Sequence, residues 1–108
     1  MDNVHIMSAY LIVNVAEIRD ADAYARYRQE VSETVRRAGG RYLVRGGEVS
    51  LLEGEWTPNR LIVVEFPSAD AARAWWSSSE YATLKELRQV STRSQMVVVE
   101  GVERKDVP

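Results

Sequence analysis

The sequence predicts an α+β domain with one sheet and its helices on a single side, and three observations predict it. Four apolar runs of strand length are spaced by two helical patterns, in the order β-α-β-β-α-β. The stretch from Asn59 to Tyr81 shows the join most clearly, because Leu61 to Phe66 is a β-branched run stopped by Pro67 and followed directly by a helix start at Ser68 and Asp70. The strands also alternate two unequal faces, one almost wholly apolar and the other apolar only in its middle. This order is that of a ferredoxin-like sheet, with the first and third strands central.

Residues 1–7 read as a loose leader, 8–102 as one domain and 103–108 as a polar tail. Ser8 to Glu17 is the first strand, with Tyr10, Ile12 and Asn14 on one face and Leu11, Val13 and Val15 on the other. Asp20 or Asp22 starts a helix whose apolar stripe is Tyr24, Tyr27, Val31, Val35 and Ala38, and Glu33 and Arg37 form a favourable i,i+4 pair on it. Gly39-Gly40 stops the helix, Arg41 to Arg45 is the second strand, and Gly46-Gly47 ends it. Val49 to Leu52 has strand character, so a short hairpin arm is expected before Leu61.

After Pro67, Ala71, Ala72 and Ala74 favour helix, and Trp75 and Trp76 follow about 100° apart around its axis, so at most one points squarely at the sheet. Ser77 to Glu80 has capping-box spacing, which breaks the helix at the serines; Tyr81, Leu84 and Leu87 or Arg88 continue one face. Gln95 to Gly101 is the last strand.

On this alternation the helix-covered face reads Leu11, Val13, Val15, Tyr42, Val44, Ile62, Val64, Phe66, Val97 and Val99. The opposite face carries Arg41, Leu43, Arg45, Leu61, Val63, Glu65, Met96, Val98 and Glu100 beside Tyr10, Ile12 and Asn14. A lone protomer would leave the apolar middle of that face in water, so two sheets are expected to pack face to face as a homodimeric α+β barrel.

The 108 residues, 45% apolar, suit one core that buries roughly two-thirds of the unfolded surface. Fourteen basic and sixteen acidic residues are interspersed, which offers no extended positive field for a nucleic-acid backbone. No apolar run approaches the ~18 residues that span a bilayer, and the start lacks signal-peptide features, so a soluble cytoplasmic protein is expected. Cysteine is absent and His5 is the one histidine, so a Cys- or His-based metal site, a Ser-His-Asp triad and a proximal haem ligand all lack their central residue; no metal or cofactor is expected. The paired glycines lack the spacing of dinucleotide or phosphate cradles.

RYLVRGG at 41–47, LLEGEW at 51–56, Arg60, VVEFPS at 63–68, AWWSSSEY at 74–81 and LRQ at 87–89 together resemble the bacterial domain-of-unknown-function 1330 family, over nearly the whole chain from Ala9 to Val102. The resemblance implies a dimeric α+β barrel, in a superfamily that also holds cofactor-independent antibiotic-biosynthesis monooxygenases, muconolactone isomerases and haem-degrading monooxygenases. The loop Ala16 to Asp22 is slightly longer than usual for the family, and Trp76 stands where a tyrosine is common.

Catalytic candidates are Asn14, Arg45 and Glu65. Arg45 either binds a carboxylate or enolate through its planar fork or pairs with Glu65 or Glu53. Glu65 is a general base if burial raises its pKa, and otherwise an ion-pair partner. The Asn14 amide needs hydrogen bonds from a cross-barrel partner or a ligand. Ligand-binding candidates are Arg60, Tyr24, Tyr27, Trp75, Trp76 and Tyr81, with core packing as the alternative for each aromatic residue. Two classes remain open: a metal-free enzyme, monooxygenase- or isomerase-like, acting on a small aromatic or carboxylate-bearing molecule, and a non-catalytic dimeric ligand-binding or interaction module. A cavity of at least ~300 Å³ between helices and sheet is expected to gather the aromatic residues with one of the polar candidates.

Overall fold

The computed structural model describes residues 5–105. Its elements are β1 (His5–Ile6), β2 (Ala9–Ile18), α1 (Ala21–Arg37), β3 (Arg41–Arg45), β4 (Arg60–Phe66), α2 (Ala69–Trp76), α3 (Ser79–Ser91), β5 (Thr92–Glu100) and β6 (Arg104–Lys105). The main sheet is antiparallel in the order β3-β4-β2-β5, which is the expected ferredoxin-like arrangement with the first and third long strands in the middle. Strands β1 and β6 pair with each other, so the backbones of the expected leader and tail join in a short ribbon; residues 1–4 and 106–108 lie outside the described residues. No helix among the described residues is long and apolar enough to cross a membrane.

Local chemistry explains the helix limits. Asp20 accepts a hydrogen bond from Ala23 N at the start of α1, Arg36 and Arg37 lie in the negative last turn, and Gly39 at φ +87° turns the chain out. Ser68 caps α2 through Ala71 N. The break at the serines is present, but the cap of α3 is Ser78, not Ser77: Ser78 is extended and accepts from Tyr81 N, whereas Ser77 still closes α2 and donates its hydroxyl to Arg73 O. Tyr24, Tyr27, Val31 and Val35 of α1, Trp75 of α2 and Tyr81 and Leu84 of α3 pack on Leu11, Val13, Val15, Val64 and Phe66.

Three expectations about the strands are corrected. Val49 to Leu52 forms no strand, because the run finds no ladder partner in its own chain; residues 46–59 are an irregular arm. In β5 the facing is one residue out of phase with the expectation. Pairing with β2 sets Val98 opposite Leu11 and Met96 opposite Val13, so Met96 and Val98 pack on the core while Val97 and Val99 stand on the open face, 57% and 48% exposed. Three consecutive valines carry no alternation of their own, so the neighbour strand decides. In β3 the register shifts between Tyr42, opposite Val64, and Val44, opposite Val63. The extra residue sends Val44 to the open face and brings Arg45, opposite Ile62, to the helix side.

Candidate functional site

The register shift in β3 is what builds the site. It aims Arg45 across the sheet edge at α1, where its guanidinium donates to Ser32 Oγ and Arg28 O at 2.8 Å each and lies 4.4 Å from the centre of the Tyr42 ring. Arg60, first residue of β4, reaches the same end and donates Nε to the Tyr24 hydroxyl at 3.2 Å. Its guanidinium passes over Gly46, which at φ +77° turns the chain out of β3 and leaves room that no side chain could share. Arg45 therefore pairs with neither Glu65 nor Glu53. Neither Arg45 nor Arg60 meets a carboxylate among the described residues.

Behind this mouth lies a crevice between α1 and the sheet, walled by Tyr24, Tyr27, Tyr42, Trp75 and the strand residues Ile62 and Val64. Its free interior is about 40 Å³, room for one or two waters, so the expected cavity of at least ~300 Å³ is not enclosed here. Side chains fill it because the aromatic residues stack: Tyr24 on Tyr27 at 5.8 Å between centroids, and Trp75 on Tyr81 at 3.9 Å. Trp75 is the core tryptophan, with Nε1 donating to Thr34 Oγ1 at 3.0 Å. Tyr81 is fully buried behind the crevice, where its hydroxyl shares a 2.8 Å hydrogen bond with that of Tyr27 and accepts from Arg88 Nε at 3.2 Å. Burial, reinforced by Tyr81, pushes the Tyr27 phenol well above its ordinary range, and burial also raises that of Tyr42. Both hydroxyls stay protonated at neutral pH.

The remaining candidates lie elsewhere. Trp76 points outward, 43% exposed, under Lys85 Nζ at 3.7 Å from the ring centre. Asn14 is on the open sheet face, donating to Gln95 Oε1 at 3.4 Å and accepting from Asn59 N at 3.3 Å, so its amide is satisfied within its own chain. Glu65 is on the same open face, where Arg41 donates to it at 2.8 Å and Tyr10 at 3.2 Å. The Arg41 hydrogen bond holds its carboxyl below the usual range, the reverse of the raised pKa that a base would need. The crevice thus gathers Arg45, Arg60, Tyr24, Tyr27 and Trp75, and leaves Asn14, Glu65 and Trp76 outside it.

Two further contributors were not singled out from sequence. Arg28 and Arg88 both line the crevice. The signal for Arg88 is its place on the buried stripe of α3, seven residues after Tyr81, where an apolar residue is the ordinary choice. Among the described residues no three His, Cys, Asp or Glu side chains are grouped to hold a metal ion.

No curated protein matches the chain. Among solved structures, methylated RPA0582 protein is similar with a TM-score of 0.73 at 17% identity, over 94% of this chain and 84% of that one. The RPA0582 protein of unknown function from Rhodopseudomonas palustris gives 0.72 at 18%, over 94% and 86%. A Nitrosomonas europaea protein described as a "putative antibiotic biosynthesis monooxygenase" gives 0.52 at 11%, over 94% and 96%. At these identities the likeness is one of fold. The family model described as "Domain of unknown function (DUF1330)" matches residues 8–102, and the chain belongs to that family.

Proposed function

We propose that this protein is a homodimeric α+β barrel that binds a small aromatic or carboxylate-bearing molecule, with Arg45 and Arg60 contacting its anionic group at the crevice mouth. The observation that carries the reading is that both guanidinium groups are positioned by neutral acceptors alone, Ser32 Oγ, Arg28 O and the Tyr24 hydroxyl. Their charge stays available to an incoming carboxylate, which the planar fork suits. The ring of Tyr42, half-buried beside Arg45 at the mouth, offers an aromatic body a place to stack, whereas Tyr24 is buried against Tyr27.

Binding is favoured over catalysis by the placement of the acid–base candidates. Glu65 is ionised on the far side of the sheet, Asn14 is there too, and Tyr27 is a protonated phenol in the core. Of the three catalytic candidates, only Arg45 is at the crevice. The homodimer rests on the open face, where Val97, Val99 and Val44 stand exposed.

Calorimetric titration with benzoate tests the reading. Wild type should bind saturably, and Arg45→Gln or Arg60→Gln should weaken binding by about tenfold, roughly 1.4 kcal/mol each. Equal affinity in wild type and both variants would remove the crevice mouth as the binding site.

A further inference from the structure

We propose that a second site, where α2, α3 and β5 meet, binds an amphipathic organic acid, with its carboxylate on Arg88 and its apolar body on Trp76. Arg88 is 6% exposed, yet its guanidinium donates only to the Tyr81 hydroxyl, at 3.2 Å, and to Ser94 Oγ, at 2.7 Å. No carboxylate among the described residues pairs with it. A cation taken out of water with neutral partners alone is unfavourable until an anion completes the pairing.

The surroundings of Arg88 extend that demand to the surface. It lines a polar pocket of about 380 Å³ together with Arg19, Arg93, Gln89, Ser94 and Trp76. Glu17 is the acid paired there, 3.4 Å from Arg19 and 3.7 Å from Arg93, so three arginines face one carboxylate. Next to it runs a groove of about 420 Å³ between α2 and β5, lined by Leu11, Ala72, Trp76, Met96 and Val98. Trp76 and Met96 line both spaces, so a cationic pocket and an apolar groove share a wall. Lys85 donates to Trp76 O at 3.1 Å and lies over the ring, which fixes the indole. Arg73, also on the groove, is already paired with Asp70 at 3.2 Å.

A bare oxyanion would use the arginines and leave the groove in water; a neutral apolar molecule would do the opposite. An acid with an apolar tail long enough to lie along the groove uses both, and each space is of the size that small-molecule sites occupy. Arg88 and Met96 also line the inner crevice, but Trp76, Arg93 and Arg19 do not, so the two sites can be separated by mutation.

Titration of the full chain with octanoate, against acetate and 1-octanol, is the test. Octanoate should bind at least about tenfold more tightly than either control, and Trp76→Ala and Arg93→Gln should each weaken it by about tenfold. Both side chains are exposed, so folding is retained, and both variants should bind benzoate as wild type does. Arg88→Gln should abolish octanoate binding if it folds. Octanoate binding that is unchanged in Trp76→Ala and Arg93→Gln, or lost in Arg45→Gln, would overturn the second site while leaving the crevice reading standing. Inorganic phosphate that competes as well as octanoate would overturn the amphipathic class.

Discussion

Gly46 sits at φ +77° with the Arg60 guanidinium packed over its α-carbon, so a methyl there meets both a backbone penalty and an occupied space. Gly46→Ala should cost about 1–3 kcal/mol in urea unfolding and displace Arg60 from Tyr24, whereas Gly47→Ala, with nothing within 4 Å, should be close to neutral. Glu65 gives a prediction in pH. Arg41 depresses its folded pKa, so the stability it contributes is present above the unfolded carboxyl value of about 4.3 and is lost as pH falls through the lower folded value. Melting temperatures followed on acidification should fall less steeply in Glu65→Gln than in wild type. At this scale the helix-side aromatic residues were legible, because Tyr24, Tyr27 and Val31 on α1 and Tyr81, Leu84 and Arg88 on α3 each repeat at helical spacing, and one tryptophan of an adjacent pair must turn inward. The face of Arg45 was not legible, since regular alternation of RYLVR groups it with Arg41 and Leu43 and only a one-residue bulge turns it to the helix side.

The helices and strands were legible as elements, and their junctions less so. Three consecutive serines offer three cap positions, and Ser77 has the better sequence signature while Ser78 has the hydrogen bonds. Ser78→Ala should therefore cost about 1 kcal/mol in chemical denaturation, and Ser77→Ala clearly less. Equal losses would place the cap elsewhere. A second junction is that of α1 with α2, where the buried Thr34 hydroxyl donates to Val31 O and accepts from Trp75 Nε1. Thr34→Val keeps the shape but leaves the indole N–H buried without an acceptor, a loss of about 1–3 kcal/mol that Trp75→Phe in the same background should partly relieve. The arm at 46–59 was expected to hold a strand because Val49 to Leu52 has β propensity. Propensity needs a partner to act on, and this protomer supplies none.

For the whole molecule the decisive feature is the face of the sheet that carries no helices. Ile12, Leu61, Val63, Val97 and Val99 form its middle, flanked by the Arg41–Glu65 pair at one end and the Asn14–Gln95 amides at the other. The arm adds Leu51, Leu52 and Trp56, which are 49%, 96% and 64% exposed and have no core of their own to join. An apolar patch rimmed by paired polar groups, with apolar side chains on a protruding arm, is the pattern of an association surface and not of a solvated one. The proposed homodimer would cover it with a second copy of the chain, since a twofold arrangement sets the same patch of both protomers together and closes without leaving further surface to propagate. The phase shift in β5 strengthens the case: Val97 and Val99, which alternation alone assigned to the core, are on this face and lengthen the patch along the edge strand. Sedimentation equilibrium at about 10 µM should thus give a dimer, consistent with a micromolar or tighter dissociation constant. Val97→Glu places a charge in the middle of the patch without touching the core, so it should raise that constant by tenfold or more, about 1.4 kcal/mol, while leaving the far-ultraviolet dichroism of the monomer unchanged. Trp56→Ala should weaken the dimer in the same direction, since a tryptophan on an arm contributes through what it packs against in the partner. A wild-type chain that sediments as a monomer at that concentration would refute the dimer, and the exposed valines would then require a different partner.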